Sequence, residues 1–453
     1  INRSYGTEDR LHLRLPIFCS AGTIEIISPK NSSHQIDDVK SSVYLIGQNI
    51  KTALCNMLSK KVSLISFSLL LLTCISQGQQ LTRLDNSKIS FASLDSKIAA
   101  LIKAASVHGL AISIFNNNEP VYKKTFGYKN TETKEPIKTS TNFYGASLSK
   151  PVFAVLVMRL VEKGVIDLDT PLQRYLPKPI YEYKSTKKWH DDYSDLRTDS
   201  LYNRITARMC LSHTSGFPNW RWDNPDQKLR VNLIPGSRYS YSGEGLVYLQ
   251  VVLEHLLGRS LEELMQEHVF KPLGMTMSSY TWQPRFEEDY CLGHMSSGKP
   301  YEKDKDNDAR SASTLETTLD DYTLFTKAVL KNSLLKKSST QEMFSTQVRI
   351  RSIAQFGPLR LHDSSFNDHI KLGYGLGWVL LQSPYGTGAF KEGHGDGFQH
   401  YSILFPKTGT GIVILSNSDN AEGIFKELLE ITIGDTFTPW RWENYIPYNQ
   451  KEN

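Results

Sequence analysis

Residues 143–151 read Phe143-Tyr144-Gly145-Ala146-Ser147-Leu148-Ser149-Lys150-Pro151, and the stretch that follows is apolar on nearly every side: Val152, Phe153, Val155, Leu156, Val157, Met158, Leu160 and Val161. Proline is tolerated in the first turn of a helix and breaks one further in. Pro151 therefore places a helix start near residues 147–150, and Gly164 stops that helix. A helix apolar all round is a buried one. Ser147 then sits at the positive end of a buried helix, and Lys150, three residues on, is its neighbour at roughly 5–6 Å between Cβ atoms. A lysine in apolar surroundings loses affinity for its proton, because desolvation disfavours charge. A neutral lysine can take the serine proton and leave an activated nucleophile. N–H groups at the helix end can hold the oxyanion that forms. The Ser-x-x-Lys spacing also occurs at Ser185, Ser296 and Ser333. Those sites lie in polar surroundings, and taken alone any such pair reads as an exposed helix turn, so it is the wider context that has to single out Ser147.

Upstream, helical periodicity over residues 87–108 puts Ile89, Phe91, Leu94, Ile98, Leu101 and Ile102 on one face. Residues 110–115 read as a strand and 121–128 as its partner. Asn116-Asn117-Asn118 is the turn between them, since Asn tolerates left-handed backbone. Downstream, the pattern is mainly helical from about 147 to 275, with a second apolar helix over 246–257 stopped at Gly258. Strand signals return at 375–381, 402–405 and 411–416, and 421–433 reads as a closing helix. Early and late strands around a helical middle predict one sheet built from both chain ends with a helical insertion.

The chain has 453 residues, 40% hydrophobic and 22% charged, an ordinary globular balance. Net charge is +5, of which residues 79–453 carry only +2. No basic stripe suggests nucleic acid as a partner. The first Met is Met57. Lys60 and Lys61 precede an apolar run over 62–72, too short to span a bilayer, and the small residues Ser76 and Gly78 follow. Residues 57–78 thus read as a secretory signal, residues 1–56 as a non-native upstream extension, and Gln79 as the mature start. Leu71-Leu72-Thr73-Cys74 also resembles a lipoprotein processing site, so a lipid anchor at Cys74 is the competing expectation. Either way a secreted or periplasmic protein is expected, with no membrane span in the mature chain. Beyond the signal only Cys210 and Cys291 remain, and they read as small buried side chains. Residues 302–310 are a charge-rich loop. Asp304, Asp306 and Asp308 open like a calcium-binding loop, but Ala309 and Leu315 stand where Gly and Glu are needed.

The run around Ser147, together with Leu160-Val161-Glu162-Lys163-Gly164 and Asp167-Leu168-Asp169-Thr170-Pro171, resembles the serine β-lactamase and penicillin-binding-protein superfamily, and most of all its class C β-lactamase-related hydrolases. Leu211-Ser212-His213-Thr214-Ser215-Gly216, Pro235-Gly236-Ser237, Tyr239-Ser240-Tyr241-Ser242-Gly243, Lys271-Pro272-Leu273-Gly274-Met275 and Tyr374-Gly375-Leu376-Gly377-Trp378 are similar to further landmarks in the same order. The resemblance covers roughly residues 90–435. It implies an α/β, β-lactamase-like (transpeptidase-like) fold: an antiparallel sheet flanked by helices, with a helical region over about 147–290, in one domain over 79–440 followed by a tail over 441–453.

The resemblance also implies roles. Ser147 is the acylated nucleophile, Lys150 its base, and Tyr241 the group that shuttles the proton. His394, in Gly393-His394-Gly395-Asp396-Gly397, matches the third motif, where the family has Lys or His followed by a Gly-containing step. A backbone N–H near Asp396 or Gly397 then completes the oxyanion hole with that of Ser147. Gly243 stands where the Tyr motif usually ends in Asn, and Asp396 where Gly usually closes the third motif. His213, Thr214 and Ser215 brace the fold in this reading, and Gly-x-Ser-x-Gly, the signature of the other large serine-hydrolase fold, is absent. The implied activity is acyl transfer to water from an ester or a peptide amide, with no metal or organic cofactor. β-Lactamase or D-alanyl-D-alanine carboxypeptidase activity is the first alternative. A non-catalytic secreted binder is the second.

Overall fold

The computed structural model describes residues 79–305 and 307–450, with a few helical residues between 45 and 57. The chain divides into units spanning residues 1–77 and 78–453. In the first unit the described residues are exposed helix. The expected signal from residue 58 on, including Cys74, lies outside the described residues.

In the second unit, strands β1 (Gln80–Thr82) and β2 (Lys88–Ser90) form a small hairpin that leads into helix α1 (Phe91–Ala104). Ser90 caps that helix by accepting from Ser93 N. The predicted first hairpin is β3 (Gly109–Asn116) and β4 (Glu119–Asn130). Asn117 and Asn118 make its turn with φ of +51° and +64°, the left-handed pair that a two-residue hairpin requires. β5 (Glu135–Pro136) and β6 (Asn142–Tyr144) lead to helix α2 (Ser149–Glu162). The middle of the chain is less helical than its pattern suggests. Between α2 and α3 (Gly243–Leu257) run short single turns and loops, and β7 (Glu316–Thr318) and α4 (Leu319–Leu330) close the region. The sheet then resumes with β8 (Val348–Arg349), β9 (Gly373–Tyr374), β10 (Val379–Ser383), β11 (Gly386–Gly395), β12 (Phe398–Phe405) and β13 (Thr410–Ser416), before α5 (Phe425–Ile431).

Nine strands make one antiparallel sheet in the order β5-β4-β3-β13-β12-β11-β10-β9-β8. The last long strand, β13, lies between β3 and β12, which joins both chain ends in one sheet as the pattern predicts. Period-two alternation sorts the side chains to two faces. Ala111, Phe115, Val413 and Leu415 pack with α2 and α4, while Ile112, Ile114, Ile412 and Ile414 pack with α1 and α5. Cys210 and Cys291 are buried and unpaired. The segment read as a tail is part of the fold: Trp442 is fully buried, its Nε1 donates to Ser352 Oγ at 3.0 Å, and its carbonyl accepts from Gln355 N at 2.8 Å.

β11 is the strand that sequence periodicity misses. It reads Gly-Thr-Gly-Ala-Phe-Lys-Glu-Gly-His-Gly, with four glycines and no clean alternation. Its pairing with β10 ends at Phe390, whereas its pairing with β12 continues to Gly395. Residues 391–395 therefore have one unpaired edge, and that edge borders the turn carrying Ser147.

Candidate active site

Strand β6 pairs with β7 and delivers the chain to a tight turn over Ala146–Leu148 that opens α2. Gly145 N donates to Leu315 O at 2.6 Å. Ser149 Oγ donates to Ala146 O at 2.5 Å and accepts from Leu315 N at 3.0 Å. Ala146 is held at φ +45°, a left-handed conformation that costs a residue with a Cβ on the order of 1–2 kcal/mol. The turn is thus fixed by its neighbours rather than by its own preference.

Lys150 is 1% exposed. Its Nζ lies 2.8 Å from Ser147 Oγ and donates to Ala312 O at 2.7 Å. Burial, reinforced by the nearby Lys391 ammonium, holds its pKa well below the usual lysine value, against a weaker opposing pull from Glu392. Tyr241 OH donates to Ser147 Oγ at 3.0 Å, so the serine oxygen sits between the two proton carriers that the sequence assigns to it. Burial raises the Tyr241 pKa, opposed by Lys391. His213 braces Tyr241 by stacking on its ring at 4.3 Å. The His213 Nδ1 accepts from Ser242 N at 3.0 Å, and burial, aided by Lys150 and Lys391, keeps the imidazole neutral by lowering its pKa well below the usual value.

Gly243 begins α3, and its N–H is taken by Asn219 through O at 3.0 Å and Oδ1 at 3.1 Å. A Cβ at 243 would stand 2.6 Å from the Trp220 ring. The glycine is where the indole closes over the helix start, so no side chain from this position reaches the nucleophile.

The strand edge beside Ser147 is formed by residues 391–395. The turns at both ends of β11 are two-residue hairpins, closed by the pairs Ser383–Gly386 and Gly395–Phe398. Such turns close on a hydrogen-bonded pair. Gly386 therefore points its N–H at β10 and Gly395 points its N–H at β12. Counting along the strand in twos, Glu392 and His394 aim their N–H groups at the unpaired edge. Gly393 fits that edge against the nucleophile turn, since a Cβ there would lie 3.0 Å from Gly145 O and 3.3 Å from Leu148 N. Gly397 N donates instead to Asp419 Oδ1 at 3.0 Å. Gly395 and Asp396 line a neighbouring cavity of about 250 Å³, away from Ser147. The N–H groups on the edge facing the Ser147 turn are thus those of Glu392 and His394, not that of Gly397. The His394 ring stands at the open rim, 3.2 Å from Glu422. Burial opposes its charge, but Glu422 outweighs that and raises its pKa.

Sequence reasoning missed Lys391-Glu392-Gly393, which has the same Lys-x-Gly form three residues earlier. Lys391 is fully buried, with its Nζ 4.9 Å from the centre of the Tyr241 ring. It donates to Glu392 Oε1 at 2.5 Å, and Gln355 Nε2 reaches the same oxygen at 2.7 Å. Burial alone would raise the Glu392 pKa, but Lys391 outweighs it and brings it down to about 2. Burial likewise works against the Lys391 charge and is overcome by Glu392 and Tyr241, so Lys391 holds its proton more firmly than usual. The available signal was a Lys-x-Gly step on a strand that periodicity did not reveal.

Ser147, Lys150, Tyr241, Glu392 and His394 share one open cleft of about 640 Å³, walled also by Trp189, Trp220, Trp222, Asn219 and Glu443. The loop after residue 300 is less solvated than its composition suggests. Lys303 is buried against Glu316 at 2.5 Å, below the rings of Tyr144, Trp282 and Phe398.

This arrangement matches known proteins. The family profile described as Beta-lactamase matches residues 94–431, and the chain belongs to the beta-lactamase family of serine hydrolases. A penicillin-binding protein of Bacillus subtilis (strain 168) is 24% identical over 356 residues, covering 70% of each chain. Esterase EstB of Burkholderia gladioli is 26% identical over 210 residues, covering 41% of this chain and 50% of its own. Among solved structures, the octameric penicillin-binding protein homologue from Pyrococcus abyssi superposes with a TM-score of 0.58 at 20% identity, over 78% of this chain and 79% of its own. That likeness establishes the fold, a β-lactamase-like antiparallel sheet with helices.

Proposed function

We propose that this protein is a serine hydrolase that forms a covalent acyl-enzyme on Ser147 and hydrolyses an ester or a peptide amide. The observation that carries the reading is the convergence of Lys150 Nζ and Tyr241 OH on one oxygen, Ser147 Oγ, at 2.8 and 3.0 Å. A neutral Lys150 takes the Ser147 proton as Oγ attacks the acyl carbonyl. The oxyanion is received by the N–H groups of Ser147 and His394. Tyr241 gives a proton to the leaving group and regains one from Lys150. Water then attacks the Ser147 ester, the same groups act in reverse, and the acid leaves. Asn219, whose Oδ1 accepts from Gly243 N, places a carboxamide in the cleft where position 243 has none.

An ester or amide is favoured over a β-lactam or a carboxylate-bearing peptide. The Lys391 charge that could receive a substrate carboxylate is already matched by Glu392. The esterase relative supports the same choice. The signal-like pattern over residues 57–78 supports secretion, which the mass of the mature N-terminus tests directly.

The chemical test is intact mass after treatment with a serine-reactive phosphonate. The wild type gains one adduct, Ser147→Ala gains none, and Lys150→Ala reacts at least about 100-fold more slowly. A folded wild type that gains no adduct returns the protein to the non-catalytic binding reading.

A further inference from the structure

Trp189, Trp220, Trp222 and Phe356 line the same cleft as Ser147, and their rings form a built surface. Trp220 and Trp222 stack with 5.4 Å between ring centres and 19° between planes. Trp189 stands edge-on to both, at 5.7 and 5.0 Å. Phe356 stands edge-on to Tyr241 at 5.1 Å, and the Tyr241 hydroxyl reaches Ser147. The indoles are held in place from behind. Arg221, buried and bonded to Glu244 at 2.9 and 3.0 Å, lies over the Trp189 ring at 5.1 Å. Trp220 is seated on Gly243, where a Cβ would stand 2.6 Å from its ring. Yet the surface remains open to water: Trp222 is 49% exposed and Phe356 37%. A single exposed ring needs no explanation, but three indoles in mutual contact beside a nucleophile mark a place where a ligand is received.

Polar groups on the same walls already have partners. Glu392 holds Lys391 and Gln355, Glu422 faces the His394 ring, and Asn219 Oδ1 takes the N–H of Gly243. Recognition therefore falls to the rings. Trp220 and Trp222 spend one face each on the other, which leaves ring edges and outer faces to the cleft. Those are the places where a further aromatic ring is preferred over a saturated one, because the ring quadrupoles favour edge-to-face and offset-stacked contacts. We propose that the cleft selects acyl substrates bearing an aromatic ring, received against Trp220 and Trp222. This rests on the hydrolase reading above and names its substrate class.

The test compares kcat/KM of the purified protein for paired esters that differ only in whether a ring is aromatic. One arm carries the ring in the acyl group, as the trifluoroethyl esters of 3-phenylpropanoic and 3-cyclohexylpropanoic acid. The other carries it in the leaving group, as the acetates of 2-phenylethanol and 2-cyclohexylethanol. The spacer insulates the ester from the ring, so intrinsic reactivity is matched within each pair. The saturated ring presents the larger apolar area, so a wall that reads apolarity alone favours the cyclohexyl member. In whichever arm reaches the rings, the phenyl member is preferred at least about fivefold, equivalent to about 1 kcal/mol. Trp222→Leu keeps an apolar side chain at an exposed position and brings that ratio to one or below, and Trp222→Phe restores most of it. The ratio cancels any general loss of turnover in the variants. A ratio close to one or lower in both arms, or a preference that both Trp222→Leu and Trp220→Leu leave intact, overturns this inference and leaves the hydrolase standing. So does a phosphonate adduct on Ser147 with no turnover of any of these esters. Neither turnover nor adduct overturns both.

Discussion

In the proposed mechanism Lys150 can serve as a base only because the fold denies its charge a solvent. Its pKa is pushed down first by burial and then by Lys391, so the reactive neutral form gains population as pH rises through that lowered value. The profile of kcat/KM against pH therefore has an acid limb set by Lys150. Lys391→Met removes a positive neighbour, makes the Lys150 proton harder to lose, and moves the limb to higher pH. A limb that stays in place or moves lower would argue against Lys150 as the titrating base. The Ser147–Lys150 pairing was legible in the sequence from a proline that fixes a helix start and an apolar helix behind it, whereas Tyr241 was reached only through the family resemblance; the structure brings all three together. Lys391 was not legible. Its role depends on which way a strand edge faces, and His394, three residues on, offered a more conspicuous reading.

At the scale of elements, the site is a seam between the N-terminal turn of α2 and the free edge of β11. Both sides come close because glycine lines the contact. Gly393→Ala would put a methyl 3.0 Å from Gly145 O, and neither backbone can yield without moving a proposed oxyanion donor. The substitution should lower kcat at least about tenfold, with a change in thermal midpoint of only a few degrees, because the rest of β11 remains paired to β12. Equal losses of kcat and stability would place the seam in the folding core instead. Long periodic elements such as α2, α3 and the β3–β4 hairpin were readable from their patterns. β11 was not, because four glycines erase alternation, and the middle of the chain forms fewer helices than its apolar spacing suggests because much of it is stapled by loops and single turns.

Across the whole molecule, the C-terminal segment closes the site from behind. Trp442 is buried, and its carbonyl holds Gln355 N, while the Gln355 side chain holds Glu392. Glu443 and Asn444 reach the cleft itself. Trp442→Ala is expected to destabilise the protein by about 3–5 kcal/mol, measured by denaturant unfolding, through the cavity it leaves and the loss of the bond to Ser352. A loss under about 1 kcal/mol would mark the segment as a loose tail after all. The single sheet built from both chain ends was readable, since strand signals cluster early and late. The inclusion of this segment was not, because one tryptophan in a short polar stretch carries no period.

The position of β13 has a consequence for the order in which the molecule comes into being. β3 must wait for a strand made almost 300 residues later in the chain before its second edge is paired. A growing chain therefore carries the Ser147 turn long before β11 exists to face it. Until the last strands arrive, the β3–β4 hairpin presents an open edge to any other chain nearby, and closure over such a sequence separation is slow. The pairing that covers the free edge of β3 thus comes from the same late stretch of chain that brings β11 to the Ser147 turn.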